Sequence, residues 1–112
     1  MKLYVVGFGC GSREGFTLEA EQVLQECDMI VGYTAYVELL KPFFPEKPTF
    51  CTGMRKETER VLEALALAAE GKTVALVCSG DSSVYGMAGL ALELSSRFPG
   101  VTVQPVAGVT AA

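Results

Sequence analysis

Val74-Ala75-Leu76-Val77 is an unbroken apolar run, and Cys78-Ser79-Gly80-Asp81-Ser82-Ser83-Val84-Tyr85-Gly86-Met87-Ala88 follows it directly. No other stretch restricts the fold as much. An apolar run without polar alternation reads as a strand covered on both faces. Gly80 and Asp81 form a tight turn, and the residues beyond them open a helix for which Ser82 or Ser83 is a candidate N-cap. Such a turn puts backbone N–H groups and a carboxylate at a strand's carboxyl end, where open α/β sheets bind their ligands. Two other turns, Gly7-Phe8-Gly9-Cys10-Gly11-Ser12 and Gly108-Val109-Thr110-Ala111, can be placed at the same edge. The three together are expected to form one wall of a cofactor cleft.

The rest of the chain fits a sheet of that kind. Residues 3–6 are a short apolar strand that ends in the first glycine loop, and Thr17 can cap a helix running to about Cys27. Glu19 and Glu21 fall in its first turn, where the helix dipole favours carboxylates, and Ala20, Val23, Leu24 and Cys27 give it an apolar face. Residues 28–32 read as a second strand, 34–40 as a short helix stopped by Pro42, and 49–51 as a brief third strand. From 54 to 70 the pattern is helical, with Val61, Leu65 and Ala68 on one stripe and Gly71 as the stop. Residues 73–77 are the fourth strand. The helix after it carries Met87, Leu90, Ala91, Leu94 and Phe98 to Pro99-Gly100, and 101–106 is a fifth strand. Strands alternating with helices over short connections predict an α/β fold: a five-stranded, mainly parallel sheet with helices on both faces and right-handed crossovers.

Composition narrows the function classes. Half of the 112 residues are apolar, enough for one domain's core, and the net charge of −4 without a basic run argues against nucleic acid. No apolar run approaches the roughly 20 residues that span a bilayer. The chain opens directly on a strand-like segment, so a cytoplasmic protein is expected. Cys10, Cys27, Cys51 and Cys78 are widely spread and histidine is absent, which argues against a zinc site and for free thiols. Residues 109–112 look like the start of a helix with nothing after it to complete it, and a second half is therefore expected beyond the chain.

The first glycine loop invites a dinucleotide reading, but the fit is poor. Ser12 stands where the fingerprint needs its third glycine, and Asp28 precedes the second strand instead of following it. A phosphate-binding Gly-x-x-x-x-Gly-Lys-Ser/Thr loop is absent. Tight-turn geometry accounts for one or two of Gly7, Gly9 and Gly11. Three alternating glycines at a strand end point to something that approaches the backbone closely.

Five segments in order resemble one family: Val6-Gly7-Phe8-Gly9-Cys10-Gly11-Ser12, Ile30-Val31-Gly32-Tyr33-Thr34-Ala35-Tyr36, Gly53-Met54-Arg55-Lys56-Glu57, residues 79–88 and residues 108–112. They look like the tetrapyrrole methylases, S-adenosyl-methionine-dependent enzymes of corrin and sirohaem synthesis. Within that family the chain is most similar to the precorrin-3B C-17 methyltransferases of the cobalamin pathway. The Gly11-Ser12 loop ending, the Gly-Tyr-x-x-Tyr segment and the Val-Tyr-Gly-Met-Ala run carry that finer likeness.

The resemblance implies a two-domain enzyme of which residues 1–112 are the N-terminal α/β half, with the cofactor folded in a cleft between the halves. It implies cofactor contacts at Cys10, Ser79, Gly80, Asp81, Val84, Thr110 and Ala111, and substrate neighbours at Gly9, Gly11, Ser12, Tyr33 and Arg55. The residue types agree: Gly80 allows close approach, Asp81 accepts hydrogen bonds, and free N–H groups near Thr110 suit a carboxylate. The implied reaction is methyl transfer to a ring carbon of a precorrin, coupled to ring contraction, in a homodimer. No catalytic side chain is assigned. Alternatives are methylation at another ring carbon, or a non-catalytic binding module of the same fold. The chain departs from the family pattern in having Cys10 and Ala107 at usual proline positions. It also has Tyr33 where the uroporphyrinogen-methylating branch has an aspartate proposed as proton acceptor, so that role is not transferred.

Overall fold

The computed structural model describes residues 2–8, 18–53, 56–79 and 81–106. They form five strands and four α-helices in alternation: β1 (Lys2–Phe8), α1 (Leu18–Glu26), β2 (Met29–Tyr33), α2 (Thr34–Leu40), β3 (Thr49–Thr52), α3 (Glu57–Ala69), β4 (Val74–Ser79), α4 (Asp81–Leu94) and β5 (Thr102–Val106). The sheet has the order β3-β2-β4-β1-β5, and every pairing is parallel.

Strand alternation sorts the core into two layers. Leu3 and Val5 of β1 join Val74, Leu76 and Cys78 of β4 on the face covered by α3 and α4, against Val61, Leu65, Ala68, Ala88 and Ala91. Val6, Ala75 and Val77 point the other way, onto Ala20 and Leu24 of α1, Val37 and Leu40 of α2, and Phe44. Residues 74–78 of β4 are buried throughout, which is why their sequence shows no polar alternation. Helices that lead leftward across the sheet sit on one face and those that lead rightward on the other, as right-handed crossovers require.

Element ends differ from expectation in α3 and at both ends of α4. α3 begins at Glu57, not at 54: Lys56 is non-helical at φ −116° and ψ 39°, and Glu57 and Glu59 then meet the dipole in the first turn. α4 begins at Asp81 itself, so Ser82 and Ser83 lie inside the first turn and are not its cap. It ends at Leu94, and a 3-10 turn over Ser95–Arg97 precedes Phe98. Gly71 and Gly100, both at positive φ, end α3 and the turn before β5 as glycine should.

Two polar ties hold the amino edge of the sheet. The Asp28 carboxylate accepts from the Thr73 N–H at 2.8 Å, while the Asp28 N–H donates to the Thr73 carbonyl. Lys47 donates to the carbonyls of Gln25 and Cys27, so its ammonium caps the negative end of α1. Asp28 therefore serves the edge opposite the glycine loop, which removes the last support for a ribose-binding role.

Candidate active site

The carboxyl edge is where the connections diverge. From β1 the chain leaves toward β2, beyond β4; from β4 it leaves toward β5, beyond β1. The two strands are adjacent and in register, Gly7 beside Cys78 and Phe8 beside Ser79. Neighbouring strands whose continuations part in opposite directions leave a crevice at their carboxyl ends, the place where open α/β sheets take ligands. The first glycine loop leaves β1 at this point and Gly80 follows β4 there. β5 ends one strand further along the same edge, with Val106 level with Val6.

Of the predicted cofactor residues, Ser79 ends β4, and Asp81 and Val84 lie in the first turn of α4. The structure thus brings these three to the crevice by their backbone. Cys10, Gly80, Thr110 and Ala111 lie outside the described residues, as do Gly9, Gly11, Ser12 and Arg55. Tyr33, the remaining predicted substrate neighbour, is half-buried at the carboxyl end of β2, its ring edge-on to Tyr36 with centroids 5.2 Å apart.

A second feature at this edge was not foreseen. Arg60, in the first helical turns of α3, is only 5% exposed. Its Nε donates to the Thr52 hydroxyl at 2.8 Å, its Nη2 donates to the Gly53 carbonyl at 3.3 Å, and its guanidinium lies 6.0 Å from the centre of the Tyr33 ring. Thr52 in turn accepts, through its carbonyl, the Thr34 hydroxyl at 3.0 Å. The arginine so ties the ends of β2 and β3 to α3. Beside it opens a cavity of about 370 Å³ lined by Tyr36, Glu57, Arg60, Cys78, Gly86, Met87 and Leu90. Burial pushes the Cys78 thiol up to about 12, against the opposing pull of Arg60, so it faces this space as a neutral group. The signal for Arg60 was present in the sequence: it falls on the same helical stripe as Val61, Ala64, Leu65 and Ala68, a charge set among core positions.

Residues 2–112 match the family described as Tetrapyrrole (Corrin/Porphyrin) Methylases. The chain is 46% identical over 110 residues to a probable cobalt-factor III C(17)-methyltransferase of Salmonella typhimurium, covering 97% of this chain and 46% of that one. Among solved structures, the methyltransferase CobJ superposes with a TM-score of 0.80 at 34% identity, over 97% of this chain and 46% of that chain. The uroporphyrin-III C-methyl transferase of Thermus thermophilus complexed with S-adenyl homocysteine superposes with a TM-score of 0.71 at 26% identity, over 98% and 46%. The chain spans half or less of the length of the curated relatives it matches. With the parallel sheet, its divided carboxyl edge and a match across nearly every residue, the chain belongs to the tetrapyrrole (corrin/porphyrin) methylase family.

Proposed function

We propose that residues 1–112 are the cofactor-binding half of an S-adenosyl-methionine-dependent methyltransferase that methylates C-17 of a precorrin, with ring contraction, in cobalamin biosynthesis. The observation that carries this reading is the crevice where β1 and β4 end side by side and their connections part. In support of it, the described parts of two family segments, residues 6–8 and Ser79 with α4, adjoin that crevice, and the described parts of the segments after β2 and β3 lie along the same carboxyl edge. Backbone groups at strand ends and at the start of α4 suit a cofactor held largely by main-chain contacts, and Ser79, Asp81 and Val84 stand there. In the same reading Cys10, Gly80, Thr110 and Ala111 complete the cofactor contacts, and Gly9, Gly11, Ser12, Tyr33 and Arg55 border the substrate.

S-adenosyl-methionine supplies a methyl group already activated as a sulfonium. What remains for the protein is to hold an electron-rich ring carbon in line with it and to exclude water, which needs positioning more than a nucleophilic side chain. A second half closes the cleft in this reading, in keeping with relatives at least twice as long. The working protein is a cytoplasmic homodimer. The name of the Salmonella relative favours a cobalt-bearing tetrapyrrole as substrate over the metal-free one.

The test is an assay of a protein of the relatives' full length that contains these residues, with S-adenosyl-methionine and either cobalt-precorrin-3 or precorrin-3B. The expected product is heavier by one methyl group, placed at C-17 by NMR and ring-contracted. Methylation at another ring carbon would move the assignment to a different branch of the family. Cofactor binding without any methyl transfer to either substrate would overturn it.

A further inference from the structure

A buried guanidinium normally has a carboxylate partner, because removing the charge from water is costly. Among the described residues Arg60 has none: its contacts there are the Thr52 hydroxyl, the Gly53 carbonyl and the face of Tyr33. Glu57 shares the cavity wall one turn away but forms no ion pair with it. The two hydrogen bonds use two of the five N–H donors of the fork, and both lead away to the end of β3. The cavity beside it, about 370 Å³, falls within the range of small-molecule sites. Among the described residues its other walls are Tyr36, Gly86, Met87, Leu90 and the neutral Cys78 thiol, which leaves Glu57 as the one charged neighbour of Arg60 in the lining.

We propose that Arg60 is a carboxylate-binding residue: its free N–H groups receive an anionic arm of a ligand bound at the carboxyl edge of the sheet. Thr52, Gly53 and Tyr33 hold the fork in place before the ligand arrives, so little side-chain freedom is lost on binding. This assignment rests on the methyltransferase reading only for the identity of the arm. In that reading two ligands bring a carboxylate to this edge: the tetrapyrrole, through its acetate and propionate side chains, and the methyl donor, through its amino-acid end.

The experiment measures binding, so it does not depend on turnover. Uroporphyrin III, a stable porphyrin bearing eight carboxylates, and S-adenosyl-homocysteine are titrated separately into a protein of the relatives' full length that contains these residues, as wild type and with Arg60→Gln or Arg60→Lys. Loss of a charge-assisted hydrogen bond is expected to weaken the responsible ligand by roughly tenfold to a hundredfold in Arg60→Gln, with partial recovery in Arg60→Lys. A loss confined to uroporphyrin assigns the arm to the substrate, and one confined to S-adenosyl-homocysteine assigns it to the methyl donor. If neither affinity changes, or the wild type binds neither ligand, the assignment falls. Should Arg60→Gln not fold, the Arg60 side-chain Nε–H resonance of the wild type gives the answer. It should move with glutarate and not with glutaramide, and a resonance indifferent to both overturns the site. Failure of methyl transfer with intact carboxylate binding would strike the proposed reaction and leave Arg60 in place.

Discussion

The three described cysteines stand in two different states. Cys51 is exposed on the edge strand, whereas Cys27 and Cys78 are buried and their thiols are pushed up to about 11 and about 12 by desolvation. The thiolate is the nucleophile, so native protein treated with iodoacetamide at pH 8 should be modified at Cys51, while Cys27 and Cys78 react only after unfolding. Peptide mass analysis reads this directly. The same burial sets a pH dependence. A group whose folded value is raised binds its proton longer in the folded state. The stability from Cys27 and Cys78 is therefore complete below the ordinary thiol range and is lost as pH rises toward 11 and 12. Urea unfolding from pH 8 to 11 should show a shallower alkaline decline in Cys78→Ala than in the wild type; equal slopes would contradict it. Arg60 teaches a different lesson at this scale. The family resemblance singled out Arg55, whereas Arg60 was marked only by its place on the apolar stripe, and the packed helix shows it facing inward.

At the scale of elements, the fit of α2 on the sheet depends on Gly32. A methyl group built there would lie 2.5 Å from Val77 Cγ2 and 3.2 Å from Val37 Cγ2, so β2 lacks a side chain exactly where α2 and β4 close in. Gly32→Ala should cost about 1–3 kcal/mol, the usual range for overpacking. Urea denaturation measures it, and adding Val77→Ala should return part of the loss even though that change alone leaves a cavity. Elements with strong local signals were legible in advance: α2 over 34–40, the fully apolar β4, and the stop of α3 at Gly71. Their ends were less so. The start of α3 at Glu57 is set where the chain leaves the end of β3, and the start of α4 at Asp81 follows directly on β4. Neither constraint is local in sequence.

For the whole molecule, the proposed function makes the crevice at the β1/β4 edge one wall of a site. Residues 1–112 alone are expected to bind S-adenosyl-homocysteine weakly or not at all, and a protein carrying the relatives' second half to bind it well. Titration calorimetry on both forms decides this. Tight binding by the short form would mean that this edge needs no opposing wall, and the two-half reading would fail.

By itself, the sequence determined the alternation of strands and helices, the two-sided burial of β4 and the three loops that carry the family motifs. These follow from periodicity, turn residues and apolar runs, all of which act over a few neighbouring positions. The tertiary structure alone decided the strand order β3-β2-β4-β1-β5, and with it which strand ends adjoin. It alone also showed that Arg60 is held between α3 and the ends of β2 and β3, with no carboxylate partner among the described residues. The physical reason is the same in both cases. Strand order and the partners of a buried charge depend on contacts between elements, and no local pattern records them.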